Sequence, residues 1–352
     1  MGSGDCFANA FWYILHSLYR GVHERMNLLT TFIVLSVPLL QQSLGLSPVP
    51  SSTLSTNMSS DSRQCCILNF RCVAGFDGRI YRCASTDELG TALIDAETPD
   101  EALVRNEAGL ILDLRSPSER KEDLASTWMA AVGVTAIDAI PGEPVPLSIL
   151  PRRVLRIDVL SPTRFFAYAT EHWLNPSDRA FAGMYRILDP NRLHRLQIDA
   201  LNARGLAGLN EAIMETGKAE LCLALKEITI HLEQHCSPIV FHCVQGKDRT
   251  GLLAMLCQSI ILVSDNDIID DYYKSDVMRK NDTSAAAEKM KNSRGKLDKR
   301  VLSGAPRETM IETLAFVRHN YGSVVPGYLD AIDFDKRWQQ RFQAAVGTTS
   351  KL

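Results

Sequence analysis

Ten consecutive residues carry the most readable chemistry in this chain: His242-Cys243-Val244-Gln245-Gly246-Lys247-Asp248-Arg249-Thr250-Gly251. A cysteine followed, after five residues, by an arginine suits an oxyanion. Backbone N–H groups of a tight loop ahead of a helix N-terminus point inward and bind phosphate. Val244, Gln245, Gly246 and Lys247 supply the amides, and Gly246 permits the backbone angles such a curl needs. The planar fork of Arg249 can grip two phosphate oxygens at once. Cys243 stands at the base of the cradle, where loop amides, a helix N-terminus and a nearby arginine favour the thiolate. A thiolate there can attack phosphorus and form a phosphocysteine intermediate. Arg249 and the amides then stabilise the equatorial oxygens as charge redistributes. Thr250 brings a hydroxyl near the sulfur and stabilises the thiolate when it leaves. His242 orients the loop from the strand side. The competing role for Cys243 is that of a buried structural cysteine in a strand-to-helix turn. The Gly-x-x-x-x-Gly-Lys-Ser/Thr nucleotide loop is absent.

The flanking elements fit this geometry. Pro238 to His242 reads as a short β-strand, and Gly251 to Val263 as an apolar helix. Gly109 to Leu114 and Val154 to Leu160 read as further strands, and Leu206 to His235 has helical apolar spacing. The alternation predicts an α/β domain with a largely parallel central sheet and helices on both faces. Pro162 to Asn202 is the least regular stretch. Its Phe165, Phe166, Trp173 and Phe181 are read as packing aromatics, with an apolar lid over the site as the alternative.

The loop resembles that of the atypical tyrosine/serine phosphatases, a family that includes bacterial enzymes accepting phosphotyrosine, phosphoserine/threonine and phosphoinositides. Asn69-Phe70-Arg71 and Gly78-Arg79-Ile80-Tyr81-Arg82 are similar to the family's N-terminal pattern. Asp113-Leu114-Arg115-Ser116 with Glu119, Asp271-Tyr272 with Ser275, Tyr321-Gly322-Ser323 and Tyr328-Leu329 are similar to its later elements. The resemblance spans roughly Ile67 to Val346. It implies a metal-free, cofactor-free phosphatase. Asp113 and Arg115 are read as supports for the loop. The resemblance also implies that Lys247 adds positive charge at the mouth and contacts additional phosphate groups of a phosphoinositide.

Two departures stand out. Cys72 occupies the position where the family usually has Asp. Leu160-Ser161-Pro162-Thr163 also lacks the carboxylate often found in the corresponding loop. The proton donor for the leaving oxygen is therefore sought elsewhere, with Asp248 first and Asp158 second. Asp248 bonding loop amides in a purely structural way is the competing reading.

Composition sets outer bounds. The chain has 352 residues, 45% apolar and 22% charged, with net charge −3, which gives no reason to expect nucleic acid as a partner. The densest basic stretch, Lys289 to Arg300, is read as a solvated helix face, with an acidic-lipid patch as the alternative. Nine cysteines at irregular spacing, without a Cys-x-x-Cys pair, are read as mostly reduced thiols rather than a metal site.

The expected organisation is an N-terminal extension (1–61), a catalytic domain (62–346) and a flexible tail (347–352). In the extension, Leu28 to Leu40 is apolar but interrupted by Pro38, shorter than the roughly 20 residues of a membrane span. Membrane anchoring or targeting there is the alternative to a loosely ordered extension ending in the Ser/Thr-rich linker Ser51 to Ser62. The terminal Ser350-Lys351-Leu352 matches the address read by the peroxisomal import receptor, so the expected location is cytoplasmic or peroxisomal. The functional expectation is hydrolysis of phosphotyrosine, with phosphoserine/threonine as a secondary candidate. A phosphoinositide phosphatase and a catalytically weak phosphate-binding module are the alternatives. A sulfur-transfer enzyme of rhodanese type is disfavoured, because the loop ends in Arg-Thr-Gly after five intervening residues.

Overall fold

The sheet that carries the loop is built from short strands whose central members are rich in Ile, Val, Leu and Phe. In the computed structural model, β1 (Arg71–Cys72), β2 (Ile80–Cys83), β3 (Leu110–Asp113), β4 (Ala136–Asp138), β5 (Arg153–Arg156) and β6 (Ile239–His242) form one sheet in the order β1-β2-β6-β3-β5-β4. All neighbours pair in parallel except β1 and β2, which form an antiparallel hairpin. The structure describes residues 67–86, 98–120, 136–145, 152–280, 298–302 and 304–347, with Met129 and Val134 besides. All of these fall within the unit Ser62–Leu352. The expectations for residues 1–61, for most of Lys289–Arg300 and for the Ser350-Lys351-Leu352 tail lie outside the described residues.

The central strands are apolar on both faces, as parallel strands covered on both sides must be. Leu110, Leu112, Leu155, Ile239 and Phe241 point into the larger core. Above them lie α4 (Lys218–Gln234), α5 (Asp248–Ile260) and α8 (Lys336–Gly347), reached after α1 (Pro162–His172), α2 (Pro176–Leu188) and α3 (Pro190–Thr216). The helices α6 (Asp265–Lys280) and α7 (Arg307–Tyr321) complete this side. Ile111, Val154 and Val240 point the other way, into a thinner layer with Ile67, Phe70, Met129, Val134 and the helical turn Pro99–Glu107. The α/β class and the largely parallel sheet are as expected, but the helices are distributed unequally between the faces.

Two readings need correction. Pro162 to Asn202 is not irregular, because α1, α2 and the start of α3 occupy nearly all of it. Each helix has proline at its first position after Ser161, Asn175 or Asp189. Proline is favoured there because its missing N–H would be unpaired anyway. The residues that break the apolar pattern are therefore helix starts. Ladder pairing in β5 also stops at Arg156, short of the expected Leu160, because the neighbouring strands end at Asp113 and Asp138. The six described cysteines are free thiols.

Candidate active site

Loops from the carboxyl ends of β2, β3 and β6 converge on one point, where parallel sheets commonly bind ligands. Strand β6 lies between β2 and β3, and the Leu114 N–H donates to the His242 carbonyl at 2.9 Å, tying β6 to β3 at its end. Cys243 follows immediately and is 2% exposed. Its Sγ is 4.0 Å from Thr250 Oγ1.

The curl of the loop follows from where its carbonyls go. The Val244 carbonyl accepts from the Ser85 N–H at 3.1 Å. Asn69 Nδ2 donates to the Gln245 and Gly246 carbonyls at 3.3 and 2.7 Å. Arg82 Nη2 donates to the Gly246 and Lys247 carbonyls at 3.0 and 3.1 Å. In a trans peptide the N–H points opposite the C=O. Four outward carbonyls therefore turn the amides of Gln245, Gly246, Lys247 and Asp248 to the inner side. Gly246 has φ of +65°, and a Cβ there would stand 2.4 Å from the Cys83 carbonyl carbon. Glycine meets both the backbone angle and the close approach to β2.

The donors are themselves fixed. Arg82 Nη1 pairs with Asp271 Oδ2 at 2.9 Å, and both side chains are almost fully buried. Arg71 donates to the other Asp271 oxygen, to the Asp271 carbonyl and to Ser275 Oγ, and it also holds Asn69. Helix α6 thus braces the loop through Asp271. Gly251 allows α5 to approach α6, since a Cβ there would meet the Tyr272 ring at 2.9 Å. The departure at Cys72 is accommodated locally, with the Gly78 N–H donating to its sulfur at 3.3 Å.

Arg249 is positioned by Glu119. Nη1 and Nη2 donate to the two Glu119 oxygens at 2.6 and 2.7 Å, and Nη1 also donates to the Leu114 carbonyl at 3.2 Å. These bonds use one edge of the guanidinium. The opposite edge, Nε–H and the second Nη2–H, retains the fork geometry that matches a phosphate. Burial disfavours the charge on Arg249, but the Glu119 hydrogen bonds and the charge of Cys243 outweigh it and hold the group protonated. Burial likewise pushes the Glu119 carboxyl up, yet the Arg249 bonds bring it below its ordinary range. The Ser116 N–H and hydroxyl hold the same carboxylate at 2.8 and 3.0 Å.

Asp113 and Arg115 form a buried pair at the end of β3. Arg115 Nε and Nη2 donate to the two Asp113 oxygens at 2.9 and 3.0 Å, and Nη1 reaches Ser85 Oγ at 2.9 Å. Asp113 Oδ1 lies 4.0 Å from His242 Nδ1. Burial raises the Asp113 carboxyl, but His242 and Arg115 together bring it below its ordinary value.

The structure departs from expectation at Lys247. Its side chain is fully buried, not at the mouth. Nζ donates to the Leu302 carbonyl at 3.1 Å and lies 3.6 Å from Asp248 Oδ1. Asp248, in the first turn of α5, lines the cleft and accepts a hydrogen bond from Tyr272 OH at 3.4 Å. Asp158 is not among the residues lining that cleft. Its Oδ1 is buried without a hydrogen-bond partner, and burial pushes its carboxyl up.

The cleft above Cys243 has a volume of about 450 Å³. Its floor is polar, with Cys243, Arg249, Asp248, Glu119 and Ser116, and its walls are apolar, with Leu160, Phe165, Phe166, Ile198, Leu201, Leu209 and Leu302. Phe165 packs edge-on against Phe166 and Trp173, at ring separations of 5.2 and 5.7 Å. These aromatics therefore both build a small core and wall the site. Glu119, Arg82, Asn69 and Asp271, which have no individual role in the sequence reading, hold the loop and Arg249 in place, and each lies inside a motif that carries the resemblance.

A largely parallel α/β sheet with a Cys-x5-Arg loop at the carboxyl end of a central strand is the frame of a phosphatase. The chain belongs to the tyrosine phosphatase family, whose profile matches residues 68–346. It is accordingly a phosphatase, a hydrolase that removes phosphate. A search of curated proteins found no match.

Proposed function

We propose that the protein hydrolyses phosphotyrosine through a cysteinyl-phosphate intermediate on Cys243. The carrying observation is the lining of the cleft, which sets Cys243, Arg249 and Asp248 beside the apolar and aromatic Phe165, Phe166 and Leu201. An aryl phosphate can bury its ring against Phe165, Phe166 and Leu201 while its phosphate reaches the loop. A phosphoserine side chain is shorter and offers no ring to those walls.

The chemistry follows in two displacements. The Cys243 thiolate attacks phosphorus and the bond to the tyrosyl oxygen breaks. Asp248 gives its proton to that oxygen as it leaves. A water then attacks the phosphocysteine, Asp248 takes its proton, and Cys243 departs as thiolate with Thr250 nearby. Arg249 and the inward amides hold the equatorial oxygens in both steps, which is where preorganised donors lower the barrier.

The phosphoinositide reading leaned on Lys247 at the mouth. With Nζ turned inward to the Leu302 carbonyl, that support is lost, and the protein substrate is favoured. A panel of phosphotyrosine, phosphoserine and phosphothreonine peptides against soluble inositol phospholipids is the deciding experiment. Higher kcat/KM on phosphotyrosine peptides is expected. A preference for any phosphoinositide would overturn the substrate assignment while leaving the cysteine chemistry intact.

A further inference from the structure

Helix α2 turns an apolar face to solvent. Phe181 and Met184 are 51% and 46% exposed, and Ile187 and Leu188 are each 73% exposed, whereas Ala182 and Tyr185 on the same helix are buried. At about 100° per residue, these four side chains share the outer half of the helix with Pro176, Ser177, Ala180 and Gly183, and no charged residue lies on it. Isolated exposed apolar residues are ordinary, but a contiguous apolar helix face marks an interaction surface.

The border of this face indicates the partner. On α2 itself the apolar face is bordered by Arg179 and Arg186, and the acidic groups of this helix are Asp178 and the capping Asp189. Both aspartates are engaged at helix starts, Asp178 by Asn175 Nδ2 at 2.7 Å and Asp189 by the Arg192 N–H at 2.9 Å. Arg179, Arg186, Arg192 and Arg195 are all exposed. An apolar helix face with arginine along its edge is the pattern that lies in the interface of an anionic bilayer.

We propose that α2 docks the protein on an anionic lipid surface. The neighbouring helices α1 and α3 contribute Phe165, Phe166, Ile198 and Leu201 to the cleft. Docking would therefore hold the cleft beside the membrane, where phosphorylated membrane proteins present their sites. The docking itself does not depend on the phosphate chemistry, and Cys243→Ser must bind vesicles as well as wild type.

Full-length protein is sedimented with vesicles of phosphatidylcholine with and without phosphatidylserine. Amide exchange is followed over residues 176–188. Binding to the anionic vesicles and slowed exchange in that segment are expected. The double variant Phe181→Ser, Ile187→Ser should bind at least about tenfold more weakly, since each side chain loses its apolar burial. Arg186→Gln should lose about fivefold, the effect of one charge near an anionic surface. Unchanged kcat of both variants on a soluble aryl phosphate shows that they are folded. The proposal is overturned if wild type ignores anionic vesicles or if the double variant binds them equally. It is also overturned if the face instead mediates self-association that the double variant abolishes without lipid.

Discussion

Glu119 holds Arg249 by both oxygens, at 2.6 and 2.7 Å, and so leaves the arginine's other edge facing the loop. The pair links the segment after β3 to the first turn of α5. A guanidinium on a long stem gains catalytic value when its plane is fixed in advance. Glu119→Gln retains one acceptor oxygen and replaces the other with a donor facing Nη. We expect kcat to fall by up to about 10²-fold through misplacement. A stability loss of about 1–3 kcal/mol is expected as well, because the buried Arg249 loses a charged acceptor. Steady-state kinetics and denaturant melts on the same preparation check this, and unchanged kcat would separate Glu119 from catalysis.

Asp248 is assigned the proton transfers because it lines the cleft beside the loop, whereas Asp158 does not line it. Asp248→Asn should slow substrates with poor leaving groups, such as alkyl or phenyl phosphates, by about 10²–10⁴-fold. Activated aryl phosphates need little protonation and should be much less affected. Equal losses across a leaving-group series would assign Asp248 a structural role.

Lys247 tests whether the loop reads more than one phosphate. In the described conformation its Nζ meets the Leu302 carbonyl. Lys247→Met keeps similar volume and removes that bond, so a stability loss of about 1–2 kcal/mol is expected. Activity on singly and multiply phosphorylated substrates should change in the same proportion. A selective loss on the multiply phosphorylated ones would show that Lys247 swings out to bind them.

Much of this site was legible because its chemistry is local in sequence. Cys243, Gly246, Asp248, Arg249 and Thr250 lie within one strand-to-helix connection, where spacing alone implies a cradle. The bracing was not legible in the same way. Arg82 and Asp271 are 189 residues apart, and nothing in either segment names the other as its partner. Glu119 and Arg249 are separated by 130 residues. Lys247 departs from expectation for a related reason. A lysine beside an arginine reads as surface charge, and only the chain returning at Leu302 supplies the carbonyl that turns it inward. The prolines of Pro162 to Asn202 are the opposite case, a local signal that interrupts the apolar periodicity and yet marks three helix starts.

His231 offers a test of the fold away from the site. Burial, the main cause, and the neighbouring His235, Arg153 and Arg79 bring it down to about 4, although its bond to the Ser237 carbonyl acts the other way. The folded state therefore binds fewer protons than the unfolded chain between about pH 6.5 and 4. The stability this gives is present above pH 6.5 and is lost as pH falls through that window, by at most about 1.4 kcal/mol per pH unit. Burial raises the nearby Glu227 carboxyl, which opposes the trend just above its ordinary value. Denaturant midpoints between pH 7 and 5 should fall for wild type and flatten in His231→Gln.

The central claim is that phosphate passes through Cys243. The direct measurement is rapid acid quench of enzyme turning over an aryl phosphate, followed by peptide mass spectrometry. The phosphoryl group is expected on the peptide containing Cys243, with greater occupancy in Asp248→Asn if hydrolysis of the intermediate needs that carboxylate. Cys243→Ser should show neither the adduct nor turnover. Sustained turnover by Cys243→Ser, or a phosphoryl group trapped on another residue, would contradict the account.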